Sequence, residues 1–216
     1  MSRLTLVACV LVVSVGLAHA EEPTDSLPGD LAVRDGSRSA PTDMSDQAIG
    51  VTLGIAGGGR VTPGGLRVIG HYLYQLTDSD WFDGTAAFTF GSGEPACFRD
   101  RMDAYFCDHG LVDGFSAEVA ANVRRFLGQA RANQANDFWP YARLGVGLSI
   151  VRFADDEVTG FAIPLHAGGG LRLKVSDGVA LTAEATLDIG LGRFTQGLGL
   201  EPQIGGSVSA GAEFGL

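Results

Sequence analysis

From residue 49 onward the chain alternates apolar and polar residues with a period of two. The clearest run is 161–191. Ile163, Leu165, Ala167, Gly169, Leu171, Leu173 and Val175 share one parity, and His166, Gly168, Gly170, Arg172 and Lys174 share the other. After Ser176-Asp177-Gly178 the alternation resumes, with Val179, Leu181, Ala183, Ala185, Leu187, Ile189 and Leu191 opposed to Thr182, Glu184, Thr186 and Asp188. Successive side chains of a strand point to opposite faces, so each strand carries one apolar face and one polar or charged face. A three-residue loop that pairs Val175 with Val179 and leaves Gly178 left-handed keeps apolar opposite apolar. It sets Arg172 across from Thr182 and diagonal to Glu184, whereas a two-residue loop would mismatch the faces. These strands exceed the usual length of about 5–6 residues and reach the roughly 9–11 residues of a membrane-crossing strand.

The same period predicts eight strands, over 49–56, 66–76, 82–90, 115–127, 141–153, 161–175, 179–194 and 204–216. The residues of 117–127 are also decent helix formers, so a helix competes with the strand there. Connections are short at 77–81 and 176–178 and long at 91–114, a rhythm that fits short periplasmic turns and longer outer loops; 128–138 breaks it by being long. Aromatic residues collect at strand ends. One end carries Tyr72, Tyr74, Trp81, Phe82, Phe126, Phe138, Trp139, Tyr141 and Phe214, the other Phe88, Phe90, Phe115, Phe153, Phe161 and Phe194. Only Phe98, Tyr105 and Phe106 of the 18 aromatics fall elsewhere. Amphipathic rings favour the two bilayer interfaces, so two such girdles point to lipid around the apolar faces.

The N-terminus adds a compartment. Arg3, the apolar run of residues 4–17 and Ala18-His19-Ala20 form a secretory signal with cleavage after Ala20, which makes 1–20 a signal peptide. The run is too short for a membrane helix. Leu6-Val7-Ala8-Cys9 is similar to a lipobox, but too few apolar residues precede it. Cleavage removes Arg3 and takes the formal charge from −10 to −11. Residues 21–47 are rich in Pro, Ser, Thr, Asp and Gly, without an aromatic, and read as a disordered acidic leader. The barrel region is then 48–216. With Cys9 gone, Cys97 and Cys107 remain, and an even pair in an exported chain reads as a disulfide. The low pI of about 4.7 argues against nucleic acid, which needs a basic face. Glycine, 32 of 216 residues, is about twice as common as usual and spread through the strands.

Residues 139–191, WPYARLGVGLSIVRF through GGGLRLKVSDGVALTAEATLDIG, resemble the small outer-membrane β-barrel proteins of Gram-negative bacteria, the OmpA-like barrel domain. The resemblance covers about 49–216 and rests on a glycine-rich Pro-Tyr strand followed by a tight Asp-Gly hairpin. It implies an all-β fold: an eight-stranded antiparallel transmembrane barrel in the cell outer membrane, in contact with its lipids and lipopolysaccharide and folded by the barrel assembly machinery. Family members usually end on an aromatic residue that assists that machinery, and this chain ends Glu213-Phe214-Gly215-Leu216. The peptidoglycan-binding domain of larger members has no counterpart here.

The inward set of such a barrel comprises Arg67, Glu118, Arg124, Arg143, His166, Arg172, Lys174, Glu184, Asp188 and Glu213. Eight strands leave a lumen that side chains fill, and unpaired charges there are costly. The core of this set, Arg143, Arg172, Lys174, Glu184, Asp188, Glu118 and Glu213, is expected to pair into a plug. The reading is therefore a structural or surface-interaction barrel, with a narrow solute channel as the alternative and a soluble periplasmic β-protein as a third. The Cys97–Cys107 loop is the candidate site for an extracellular ligand. Lipid A-modifying barrel enzymes resemble the chain in size, and His71 and His166 are lumenal candidates, but no nucleophile–base pair is visible. His19 leaves with the signal and His109 sits beside Asp108 in a loop. Gly57–Gly59 and Gly168–Gly170 lack the Lys-Ser/Thr of a phosphate cradle. Asp155-Asp156-Glu157 lacks the spacing of a calcium loop. No catalytic, cofactor or metal residue is assigned.

Overall fold

The computed structural model describes residues 46–58, 62–91, 96–99, 105–108, 114–128, 138–153, 159–194 and 200–216. Ten strands occupy them: β1 (Gln47–Gly58), β2 (Gly65–Gln75), β3 (Asp80–Gly91), β4 (Ala96–Arg99), β5 (Tyr105–Asp108), β6 (Gly114–Phe126), β7 (Phe138–Phe153), β8 (Thr159–Ser176), β9 (Val179–Phe194) and β10 (Leu200–Gly215). Eight close into an antiparallel barrel in the order β1-β10-β9-β8-β7-β6-β3-β2, and β4 and β5 form a separate hairpin. The signal peptide, nearly all of the acidic leader, His109 and Asp155-Asp156-Glu157 lie outside the described residues.

The eight expected strands are the barrel strands, with ends shifted by a few residues. Residues 115–127, where a helix competed, are strand β6. Its inner face offers Glu118, Asn122 and Arg124 to the lumen while Val119 and Val123 face out, and this two-sided demand overrides helix propensity. The stretch 91–114, read as one loop, contains β4 and β5, whose register sets Cys97 opposite Cys107 and Phe98 opposite Phe106. Closure comes from β1 and β10, paired from Ala48↔Gly215 to Gly58↔Gly205.

In the β8–β9 hairpin Arg172 lies opposite Thr182 and Gly170 opposite Glu184, the expected register. The tip departs from it. Ser176 rather than Val175 pairs with Val179, and the ladder shifts between Lys174 and Ser176. A bulge absorbs one residue, so a tight Asp177-Gly178 turn coexists with apolar-to-apolar pairing along the body. Gly178 sits at φ +77°, as the turn requires. Lys174 Nζ reaches Asp177 Oδ1 at 2.8 Å across this turn, and that hydrogen bond holds the Asp177 carboxyl below its ordinary pKa.

Burial is inverted relative to a water-soluble domain. Ile49, Val51, Leu53, Ile55, Leu144, Ile163, Leu165, Ile189, Ile204 and Val208 are each 45–70 % exposed on the outer wall. Arg67, Asp83, Arg124, Arg143, Arg172, Glu184 and Glu213 are each at most 8 % exposed within it. Covering one such aliphatic side chain is worth roughly 1.5–3 kcal/mol, so a belt of them bare to water would be costly. Lipid is the medium that covers a continuous belt around a barrel.

At one end the first and last barrel strands are tied to each other and to the described turns. Gly215 N–H donates to Gly178 O at 2.9 Å, Leu216 N–H to Gln47 O at 3.0 Å, and Gln75 N–H to Asp46 O at 2.9 Å. The β2–β3 turn is held by Thr77 Oγ1, which accepts from Asp80 N–H at 3.0 Å, and by Arg125, which grips Asp80 at 2.7 and 2.9 Å. Replacing Gly178 by valine puts a β-branched side chain at a left-handed position, a cost of about 1–2 kcal/mol. Urea unfolding of the Gly178→Val barrel in lipid should show that loss, with the slope against urea unchanged.

Candidate functional site

The lumen is where this chain concentrates its chemistry, and three layers fill it. Nearest the termini, Ala48, Leu73, Trp81, Phe126, Trp139 and Tyr141 form an apolar cluster. Phe126 stands edge-to-face against Trp81 and Trp139 at 6.4 Å and against Tyr141 at 5.9 Å. Four aromatics expected in the interfacial girdle are thus inside the barrel, and Phe194 is buried as well, at 5 % exposure. Parity is the reason: Trp81 shares a face with Asp83, Phe126 with Arg124, and Tyr141 with Arg143. Tyr72, Tyr74, Phe88, Phe90, Phe115, Phe161 and Phe214 do face outward.

Above this cluster lies an ionic layer. Asp83 accepts from Arg124 Nη2 at 3.0 Å, lies 3.0 Å from His71 Nδ1, and is 3.5 Å from Arg143 Nη1. Arg124 also donates through Nη1 to Glu213, whose second oxygen accepts from Arg172 Nε at 3.2 Å. Arg143 Nη2 lies 2.7 Å from Glu184 Oε1, and Tyr141 O–H donates to Glu184 Oε2 at 3.0 Å. The Arg124 guanidinium sits 4.3 Å above the Tyr141 ring, which couples the ionic layer to the aromatic one. Gly170 makes room for that ring, because a Cβ there would lie 2.5 Å from the Tyr141 hydroxyl.

The third layer is nearer the other mouth. Arg67 bridges Glu118 (Nη2 to Oε1, 2.9 Å) and Asp188 (Nη1 to Oδ2, 3.4 Å), and His166 Nδ1 is 2.7 Å from Asp188 Oδ1. Beyond it a small recess opens toward that mouth, walled by Thr89, Ser116, Ser149 and Gln203.

Of the residues expected in the plug, Arg143, Arg172, Glu184 and Glu213 meet in the ionic layer, and Glu118 and Asp188 meet in the layer above. Lys174 is the exception: it sits at the rim, its side chain 28 % exposed and bridged to the exposed Asp177. Asp83 was missed as the acceptor for three cationic or imidazole groups, although its parity with Thr85 and Thr89 signalled the inner face. Tyr141 was missed because its position near a strand end resembled a girdle residue. Among the described residues no group of three His, Cys, Asp or Glu side chains is placed to hold a metal.

In fold the chain is similar to Neisserial surface protein A (NspA), with a TM-score of 0.54 and 13 % identity over 80 % of this chain and 98 % of that one. A weaker likeness, at TM-score 0.37 and 14 % identity, is to Ail, the attachment invasion locus protein of Yersinia pestis, over 78 % of this chain and 96 % of that one. No family model and no curated protein sequence matches the chain. The likeness is one of fold: a small, closed, eight-stranded antiparallel β-barrel.

Removing Asp83 would take one of two buried carboxylate partners from each of Arg124 and Arg143. Asp83→Ala should cost about 3–5 kcal/mol, while Lys174→Ala at the rim should leave stability nearly unchanged. Equilibrium unfolding of both variants in lipid vesicles checks the contrast.

Proposed function

We propose that this is a non-conducting outer-membrane barrel that serves as a rigid base for surface interaction. The observation that supports the reading is the packing inside the barrel: an edge-to-face aromatic cluster lies at one end, and a paired ionic layer lies in the middle. A water-filled path would need a continuous gap through both, so the packing favours a base over a solute channel.

In this reading residues 1–20 export the chain, with cleavage after Ala20, and residues 21–47 remain as a periplasmic leader. The barrel assembly machinery inserts the strands, and the outer wall meets lipid and lipopolysaccharide. The β4–β5 hairpin lies on the outer side, as the candidate contact for an extracellular ligand. Its register makes Cys97 and Cys107 a directly opposed cross-strand pair, which supports a disulfide between them. Such a bond would lower the ordering cost when the hairpin binds. The role is structural, without an enzymatic step.

Four measurements test this. The chain should fractionate with the outer membrane and shift in gel mobility on boiling. Reconstituted in a planar bilayer, it should give no stable unitary current; steady conductance would displace the sealed-base reading in favour of a channel. Leu165→Arg, on the outer wall at mid-strand, should lose about 2–4 kcal/mol in lipid, the cost of a cation near the bilayer midplane. A neutral effect would put that wall in water and end the membrane assignment.

A further inference from the structure

Arg67, Arg124, Arg143 and Arg172 face the lumen and meet carboxylates there. Arg152, near the end of β7, and Arg193, near the end of β9, are different, because both are exposed. Arg152 shares its parity with the outward Leu148 and Ile150, and Arg193 with the outward Ile189 and Leu191. Both side chains therefore leave the outer wall. Neither makes an ion pair or a side-chain hydrogen bond among the described residues. Arg125 at the other rim is the contrast: its exposed guanidinium is held by Asp80 at 2.7 and 2.9 Å.

The two arginines stand at the same rim, away from the end where β1 begins and β10 finishes, and their neighbours are aromatic. Arg152 pairs with Phe115 on β6, and Phe115 pairs in turn with Phe90 on β3. Arg193 pairs with Phe161 on β8, whose other partner, Ile150, is two residues from Arg152. Phe161 thus stands between the two arginine positions. Phe90, Phe115 and Phe161 are all 42–59 % exposed on the outer wall. Two strands and two residues separate Arg152 from Arg193, which ordinary sheet spacings convert to about 11–12 Å between Cα atoms.

A cation on the lipid face is costly at the bilayer midplane and tolerated near an interface, where headgroups can supply the counter-charge. In a chain of net charge −10, two outward cations without a carboxylate call for an anion from outside. A guanidinium fork matches phosphate, to which it donates two parallel N–H bonds. Aromatic rings beside it suit the same depth of the bilayer. We propose that Arg152 and Arg193 form a docking site on the outer wall for the lipopolysaccharide anchor, a lipid with two phosphates on one headgroup. Each arginine takes one phosphate, and Phe161 packs against the lipid between them. The site rests on the outer-membrane placement proposed above and goes beyond it by naming the residues and the group they bind. A headgroup with a single phosphate would need both side chains drawn to one point, whereas a two-phosphate headgroup meets them without converging.

The test is native mass spectrometry of the full-length folded protein in detergent, titrated separately with diphosphoryl lipid A, monophosphoryl lipid A and phosphatidylglycerol. The expected result is one diphosphoryl lipid A retained, with the two single-phosphate lipids held about tenfold or more weakly, the loss of one charge-assisted contact. Arg152→Gln and Arg193→Gln should each weaken diphosphoryl lipid A by a similar factor and erase its advantage over the monophosphoryl form. Both variants lie at an exposed rim and should keep the gel shift of a folded barrel. Arg125→Gln, at the other rim, should bind like the parent. Equal retention of the three lipids by the parent overturns the proposal, as does unchanged binding in an Arg152→Gln/Arg193→Gln double variant. An equal loss in Arg125→Gln overturns it too, since net charge alone would then explain the binding. Each of these results leaves the outer-membrane placement standing; that placement fails instead if the chain fractionates with the soluble periplasm.

Discussion

Arg124 and its two carboxylates span the barrel. Asp83 lies on the neighbouring strand β3, while Glu213 lies on β10, on the far side of the ring from β6. Backbone ladders join each strand only to its neighbours. The Arg124–Glu213 contact instead ties opposite walls, and Arg172 on β8 and Arg143 on β7 join the same acids. The cross-section is therefore fixed from inside as well as from its circumference. Buried charges of this kind stay ionised only because each is met by an opposite charge and by hydrogen bonds. A network satisfied at every member rigidifies, and one missing member exposes the rest.

The aromatic layer follows from that network. Tyr141 gives its hydroxyl to Glu184 and its ring face to Arg124, so the polar edge of the apolar cluster meets the ionic layer without an abrupt boundary. Below it Phe126 meets Trp81, Trp139 and Tyr141 edge-on, the arrangement that ring quadrupoles favour. Charge is thus held in the middle and apolar rings at one end, with a polar-lined recess at the other. The interior has a polarity along its axis that the outer wall lacks.

Much of the fold could be read from alternation alone. The parity of residues 161–191 set both faces of the β8–β9 hairpin and placed Arg172 opposite Thr182, because a slip of one residue would turn every apolar side chain inward. Inward charge was equally legible at Arg143, Glu184 and Glu213. Which charge meets which was not, because partners across the lumen depend on how neighbouring strands are staggered around the ring, and no single strand records that. Asp83 therefore went unrecognised as the shared acceptor. Trp81 and Tyr141 were misread for a different reason: position along a strand was weighed, and parity was not. The bulge at the β8–β9 tip escaped because a local turn preference and the long-range register were both met, at the expense of one unpaired residue.

The seam between β1 and β10 has a consequence for how the molecule comes into being. Ala48 pairs with Gly215, and Leu216 closes onto Gln47, so the first barrel strand finds one of its two neighbours only in the last. Until β10 arrives, β1 has an open edge and the opposite wall offers no Glu213 to Arg124. Such non-local closure makes assembly slow and leaves the partial chain prone to pairing with its neighbours. Translation and folding are thereby separated in time, and the nascent chain must be kept apart from its own kind until the final strand can shut the ring.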